Sequence, residues 1–429
     1  MIDTKSLRKI LLSFAVTGKL TKQIESDVPV SDDIKEYIPK MDIELPEIPE
    51  TWKYCKFDEV LVNRDSERIP VSVADRKKLD KVYDYYGASG VIDKVDSYLF
   101  DETLLLIGED GANLLSRSSP IAFLAHGKYW VNNHAHVLAP TEYVLLEYVE
   151  IVINSMSLIP FVTGAAQPKL SQNMMNKIAI PVPPLSEQQR IVDVVKESFK
   201  ILDTIDELQK AYSSDVDNFK SKLIDAGIQG KLTEQLLEDG TVEEVYGEES
   251  ISESDILMKI PDNWRWIRLG WAMEIERGGS PRPIKAYMTE EENGINWIKI
   301  GDVEKDGKYI YSTKEKIKPE GEKKSRKVYP GDFLLTNSMS FGRPYISKIE
   351  GCIHDGWLLL RNSKGIFDLD YLYWLLSSKY AYNQFVQKAS GATVDNLNKD
   401  KVASAIIPLP PLAEQRRIAN RIEELIQLL

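Results

Sequence analysis

The sequence predicts two large, divergent domains set between constant helical segments, and three observations predict it. A chain of 429 residues exceeds one compact core and suits two or three units. Three short stretches recur in the same order, and a long apolar pattern of helical period lies between the two inserts.

The repeats come first, because a missed repeat misassigns the whole architecture. Leu7 to Gln23, containing Gly18-Lys19-Leu20-Thr21, returns as Phe219 to Gln235, containing Gly230-Lys231-Leu232-Thr233. Ile48-Pro49 with Trp52 returns as Ile260-Pro261 with Trp264. Pro181-Val182-Pro183-Pro184-Leu185-Ser186-Glu187-Gln188 returns as Pro408-Leu409-Pro410-Pro411-Leu412-Ala413-Glu414-Gln415. Between these ends, Lys53–Ile180 and Arg265–Ile407 barely resemble one another beyond Gly164-Ala165 and Gly391-Ala392. A solenoid would merely duplicate a stable unit; two large divergent inserts point instead to constant helices alternating with divergent domains. The expected segments are an N-terminal helix over 1–24, a first domain over 45–183, a central helical spacer over 184–235, a second domain over 258–410 and a C-terminal helix over 411–429.

In the spacer, Ile191, Val194, Ser198, Ile201, Ile205, Leu208 and Tyr212, with Phe219 a heptad on, have coiled-coil spacing. Ser186 and Gln189 fit a capping box behind the prolines. About 40 helical residues at ~1.5 Å each give roughly 60 Å, a spacer rather than a core element. The C-terminal segment matches only the first half of the spacer and the N-terminal segment only the second, so the two ends rebuild a missing copy. Ile418, Ile422, Leu425 and Leu429 with Leu7, Ile10, Leu11 and Phe14 are expected to form a second stripe antiparallel to the first, with the termini close and the organisation circular and pseudo-twofold. The acidic stretches Glu25–Glu50 and Glu238–Asp255 read as solvated connectors.

Composition narrows the function. Hydrophobic residues make up 43%, yet no stretch approaches the ~18 consecutive apolar residues of a membrane span, and the start carries no secretion pattern, so a soluble cytoplasmic protein is expected. Cys55 and Cys352 stand alone, outside any zinc or disulfide spacing. A formal charge of −12 argues against indiscriminate coating of nucleic acid, which rests on phosphate neutralisation.

At these boxes the sequence resembles the specificity subunit of type I restriction-modification systems, HsdS. In the second insert, Gly278-Gly279-Ser280-Pro281, Trp297-Ile298-Lys299-Ile300-Gly301-Asp302-Val303 and Gly331-Asp332-Phe333-Leu334-Leu335 are similar to one pattern of target-recognition domain. In the first, Tyr85-Tyr86-Gly87-Ala88-Ser89-Gly90-Val91-Ile92, Gly108-Glu109-Asp110-Gly111-Ala112 and Trp130-Val131-Asn132-Asn133-His134-Ala135-His136 are similar to another. The resemblance implies two mixed α/β (α+β) target-recognition domains, each with a twisted, partly antiparallel sheet, joined by long antiparallel coiled-coil helices. Each domain would read half of a split site in double-stranded DNA. The helices would dock two modification subunits, which bind S-adenosylmethionine and methylate adenine, and a further restriction subunit would translocate and cut. The chain itself would be a non-catalytic subunit with no cofactor. It carries no Asn/Asp-Pro-Pro-aromatic methyltransferase box, Walker A loop or Gly-x-Gly-x-x-Gly cradle. Glu322-Lys323-Lys324 offers a nuclease-like Glu-x-Lys only within a charged run, and His134-Ala135-His136 has no third metal ligand near it in sequence. Composition alone also permits a two-domain coiled-coil protein-interaction scaffold without DNA binding; the pairing of constant helices with variable, Arg- and Asn-bearing loops disfavours it.

Base discrimination needs donors and acceptors on base edges, Arg for guanine and Asn or Gln for adenine above all. The candidates in the first domain are Arg64, Arg68, Arg76, Lys77, Ser89, Asn113, Arg117, Asn132, His134, Gln167 and Lys169, with Tyr86 beside Tyr85 as an aromatic that packs on sugar or base, or in the core. In the second they are Arg277, Ser280, Arg282 and Lys285 in a glycine-bearing loop, and Asn337, Ser338, Ser340 and Arg343 after an expected strand at Phe333-Leu334-Leu335. Lys323, Lys324, Arg326 and Lys327 suit solvent or phosphate, which carries no sequence information.

Overall fold

The computed structural model describes residues 1–41, 43–164, 167–243, 251–252, 255–256, 258–304, 307–337, 341–389 and 397–429. The chain divides into two compact units, Met1–Ala211 and Tyr212–Leu429. One helix of 44 residues, Leu185–Ile228, supplies its first part to the first unit and its last turns to the second. No helix among the described residues is long and apolar enough to cross a membrane.

In the first unit, strands β1 (Lys53–Lys56) and β10 (Ala179–Val182) pair antiparallel, so the domain closes where it opens. Between them, β2 (Leu61–Asn63), β9 (Ala135–Pro140), β6 (Leu104–Gly108) and β7 (Ala122–Ala125) form an antiparallel sheet in that order. A second sheet runs β4 (Gly90–Val95), β3 (Tyr83–Gly87), β8 (Lys128–Val131) and β5 (Phe100–Asp101), with β3 and β8 parallel. The unbroken run Leu104-Leu105-Leu106-Ile107 is buried on both faces. Leu105 and Ile107 join a core with Phe57, Tyr148, Val152 and Ile191 from the helical side, while Leu104 and Leu106 join Phe100, Tyr129 and Val137 on the other. The central sheet is therefore the middle layer of three.

The second unit repeats this plan with other residues. Strands β11 (Arg265–Arg268) and β22 (Ile406–Leu409) make the closing pair. The middle sheet runs β12 (Glu274–Arg277), β21 (Trp357–Arg361), β18 (Phe333–Thr336) and β19 (Pro344–Ser347), extended by β15 (Tyr309–Ile310). The outer sheet runs β13 (Met288–Thr289), β16 (Glu315–Ile317), β14 (Ile295–Ile298), β20 (Gly351–Ile353) and β17 (Arg326–Val328), again with one parallel pair, β14 and β20. The strand at Phe333-Leu334-Leu335 is as the sequence predicts, and among the described residues each domain holds two larger sheets besides its two-stranded closing pair, where one sheet was expected. Divergent sequences thus share one order of the four central strands, the second domain adding a strand to each larger sheet.

The three repeated boxes meet at one buried carboxylate in each unit. Glu187 accepts from Thr21 Oγ1 (2.9 Å), Gln23 Nε2 (2.7 Å) and Trp52 Nε1 (2.9 Å). Glu414 accepts from Thr233 Oγ1 (3.1 Å), Gln235 Nε2 (2.8 Å) and Trp264 Nε1 (2.8 Å). Gly18 and Gly230, with φ of 69° and 70°, turn the chain there, and a Cβ on either would strike Pro49 or Pro261.

Several helical expectations are corrected. The long helix begins at Leu185, so Ser186 lies inside it and donates to Asp27 Oδ1 (2.7 Å), while Gln189 donates to Asp193; there is no capping box. The inward stripe is rotated by one residue. Ile191, Val192, Val195 and Leu202 are buried, whereas Val194, Ile201, Leu208, Tyr212 and Phe219 face solvent. In the N-terminal helix, Thr4–Val16, Thr4 and Ala15 are buried and Leu7, Ile10 and Phe14 are exposed. The cause is a third helix, Leu146–Ser155, which packs on the N-terminal helix and turns its buried face away from the simple two-helix seam. The antiparallel pairing itself is present: Thr4 donates to Asp206, Arg8 bridges Asp203 (2.8 Å) and Asp206 (3.1 Å), and Ile2 bonds Gln209. In the second unit Ile418 and Ile422 of the C-terminal helix, Leu412–Gln427, are buried beside Gly227, and Tyr212 donates to the Leu429 carbonyl (2.9 Å).

The connectors are packed rather than simply solvated. Ile34 is buried, and Asp27 and Asp239 hold Arg190 (2.6 Å) and Arg417 (2.5 Å). Residues 244–250 of the second connector, like Ala165, Gly391 and Ala392, lie outside the described residues.

Candidate nucleic-acid interface

Three neighbouring strands end together in each domain, and the loops there form the candidate site. In the first domain, β2 ends at Asn63, β6 ends at Gly108 opposite Ala135, and β9 starts at Ala135. The β3–β4 hairpin tip joins them, since a Cβ on Gly108 would lie 2.6 Å from the Ala88 carbonyl oxygen; only glycine allows that approach. Residues 167–170 are added by the bridge between Asp110 and Lys169.

This geometry gathers Arg64, Arg68, Ser89, Asn113, Asn132, His134, Gln167 and Lys169, but most are already engaged. Arg64 pairs with Glu67 (2.6 Å) and Glu102 (2.7 Å), which raise its pKa. Arg68 donates to Glu109 (2.8 Å) and the Ala135 carbonyl (2.7 Å). Asn113 closes a turn with Ser118 and Ser119, and buried Asn132 accepts from the His134 N–H. His134 is exposed against Asp110 (2.8 Å), and Lys169 bridges Glu109 (3.0 Å). Arg76, on a short helix away from these ends, pairs with Asp93 (2.9 Å) and lies 4.5 Å over the Tyr85 ring. Tyr86 is packed on Phe123 and Tyr129 in the core.

Arg117 is corrected outright. Its guanidinium turns inward and donates to the carbonyls of Ile153, Asn154 and Met156, closing the C-terminus of helix Leu146–Ser155. Burial lowers its pKa. Lys77, Ser89 and Gln167 remain exposed.

The fold also supplies the neighbours that the His-x-His pattern lacked. His136 meets Asp65 and Glu109, with ligand atoms within 4.8 Å of one another. Each carboxylate already holds a cation, Arg68 at 3.3 Å from Asp65 and Lys169 with Arg68 on Glu109. Burial pushes both carboxyls up, and the hydrogen bonds from His136, Arg68 and Lys169 more than reverse it, leaving both below their ordinary values. The arrangement is a salt-bridge network rather than a vacant chelate.

In the second domain the equivalent ends are Arg277, Thr336 and Trp357. Arg277 and Lys285 are exposed, and Arg282, with a side chain 82% accessible, stands 3.5 Å from Asp355. Ser280 donates to Asp355 (2.9 Å). Asn337 is buried and donates to the Asp355 carbonyl (2.7 Å), which corrects its reading as a base contact. Arg343 is half-buried and lines a cleft of 680 Å³ with Lys379 and Tyr382; Ser338 and Ser340 lie outside the described residues.

Two basic segments that are separate in sequence meet here. A Cβ on Gly279 would touch the Lys324 carbonyl oxygen, and Lys324 donates to Tyr287 OH (2.6 Å). The segment bearing exposed Arg277, Arg282 and Lys285 therefore lies against the one bearing exposed Lys323 and Lys324, while Arg326 pairs with Glu276, and a 770 Å³ cleft is lined by Pro281, Arg282, Trp297, Lys299 and His354. Sequence reasoning missed Lys299 and His354 as site residues; the signal was the Trp297-Ile298-Lys299 motif, whose strand β14 runs parallel to β20 just before His354.

The profile of the type I restriction modification DNA specificity domain matches this chain twice, over residues 49–211 and 261–429. The chain belongs to that family. A Haemophilus influenzae protein whose name provisionally assigns it to the type I restriction enzyme specificity subunits is 29% identical over 379 residues, 87% of this chain and 86% of its own. The type I restriction enzyme MjaVIII specificity subunit of Methanocaldococcus jannaschii is 22% identical over 403 residues, 89% of this chain and 88% of its own. In fold, the chain is similar to the HsdS subunit of Thermoanaerobacter tengcongensis (TM-score 0.52, 18% identity, 89% and 90% covered). It is also similar to a chain from a structure on complex assembly and conformational transition of the type I R-M system (TM-score 0.64, 19% identity, 90% and 92% covered). As a type I specificity protein it recognises DNA by sequence, and the scaffold reading without DNA is not favoured.

Proposed function

We propose that each specificity domain reads one half of a bipartite, asymmetric DNA target, and that the helices dock two modification subunits that supply S-adenosylmethionine and the methyl transfer. The observation that carries this reading is the shared strand order with different side chains at the same strand ends. Two such loop sets imply two dissimilar half-sites. In this reading the chain is the non-catalytic, cytoplasmic subunit of its complex, and a further subunit translocates and cuts DNA.

The docking face is the exposed apolar row along the first unit's helices, Leu7, Ile10 and Phe14 on one and Val194, Ile201 and Leu208 on the other. Apolar rows at heptad spacing on a solvent face suit partner helices. The acidity follows: with a formal charge of −12 the isolated chain binds DNA poorly, and its partners complete the basic surface. Binding of duplex DNA by the chain alone and by its complex, at the same salt, tests this. Equal, tight binding by the isolated chain overturns it.

A further inference from the structure

Each domain places one histidine at the joined strand ends, His136 buried and His354 half-buried, and the two are wired in opposite senses. His136, 1% exposed, has Nδ1 2.6 Å from Asp65 Oδ2 and Nε2 2.7 Å from the Leu170 carbonyl oxygen. Asp65 is held ionised, its other oxygen accepting from the Val137 N–H (2.8 Å), so neither partner can donate. A neutral imidazole carries one N–H and would set the lone pair of its other nitrogen against either the Asp65 oxygen or the Leu170 carbonyl oxygen. His354 is the reverse: its Nδ1 faces the Gly356 N–H (2.7 Å) and its Nε2 the Ile300 N–H (3.2 Å), and burial lowers its pKa.

We propose that His136 carries protons on both ring nitrogens and, as an imidazolium, is the positioning residue that holds the reading loops of the first domain. One ring ties together Asp65 after β2, Glu109 after β6 (4.0 Å from Nδ1) and Leu170 in the segment bearing Gln167 and Lys169. The charged groups facing it are Asp65, Glu109, Arg68 and Lys169. In the second domain the same strand ends are tied by the Asn337 amide on the Asp355 carbonyl, the Asn337 N–H on Gly356 and the Ser280 hydroxyl on the Asp355 carboxylate, which Arg282 also faces. The loop arrangement of the first domain therefore needs an N–H on both ring nitrogens of His136, whereas in the second domain both ring nitrogens of His354 face backbone N–H groups. This inference rests on the reading of one half-site per domain.

The test uses the full chain assembled with its modification subunits, and measures methylation of duplexes carrying a base change in either half-site, from mildly acidic to alkaline pH. Exchange of residues 53–180 with those of a relative first assigns the half-site read by the first domain; if that exchange alters neither half-site, the half-site reading itself fails. Given that assignment, discrimination at the first half-site is expected to fall about tenfold at alkaline pH, the worth of one base contact, with the second half-site unchanged. His136→Lys, a cation throughout, keeps first-site discrimination at alkaline pH, and His136→Gln loses it at every pH. Should His136→Gln assemble poorly, histidine-selective ¹⁵N spectra of the wild-type chain, which has four histidines, decide the protonation, both ring nitrogens being protonated near neutrality. A flat pH profile at the first half-site, parallel loss at both, or an unprotonated His136 nitrogen overturns the proposal.

Discussion

Trp52 donates its indole N–H to Glu187, 135 residues away, at 2.9 Å, and the bond recurs between Trp264 and Glu414 at 2.8 Å. Each carboxylate gathers the end of a Gly-Lys-Leu-Thr turn, the start of a domain and the start of a helix. Replacing Glu187 by Ala leaves three donors facing a buried void. Equilibrium unfolding in urea is expected to show a loss of roughly 3 kcal/mol, and Glu414→Ala a loss of similar size.

Asp27 adds a pH-dependent clamp. The Arg190 guanidinium, against the opposing effect of burial and with help from Ser186, holds its carboxyl well below the usual carboxylate range. A depressed folded-state pKa stabilises the fold above the unfolded value and ceases to do so as pH falls through the folded one. Asp27→Asn is expected to cost about 1–3 kcal/mol near neutral pH, with the difference from wild type shrinking in strong acid.

Ile201 and Leu208 are 56% and 63% exposed on the long helix. Their joint change to Glu is expected to shift the chain's own stability by no more than about 0.5 kcal/mol. Co-purification with the modification subunits should nevertheless be lost; retained assembly places the docking face elsewhere.

Arginines of the two domains separate by role. Arg117→Ala is expected to lower the melting temperature while leaving the methylated sequence unchanged, because its guanidinium closes a helix. Arg282→Ala with Lys285→Ala should leave melting unchanged, weaken DNA binding by the complex and lower its salt dependence, as loss of phosphate contacts does.

The scaffold was legible in the sequence because its boxes have fixed chemistry. A buried Glu needs donors, and Trp, Thr and Gln recur with it at matching places. The seam of the long helix was misread by one residue, since Val194 and Val195 are equally apolar and Val195 is covered by a core it shares with Leu146, Val149 and Val152, which are far from it in sequence. The site was legible as loops and poorly as residues. Arg64, Arg68 and Arg76 have the right chemistry for guanine, but their carboxylate partners Glu102, Glu109 and Asp93 lie 17 to 41 residues away and come together only in the fold. Separation in sequence likewise hid Asp65, 71 residues away, and Glu109 from His136.

The central claim, that two independent readers share one helical ruler, is tested most directly by sequencing the methylated positions in cells that express the chain with its modification partners. An insertion of a few residues within Lys200–Asn218 is predicted to keep both half-sites and lengthen the unread gap between them. An unchanged gap, or altered half-sites, would contradict the account.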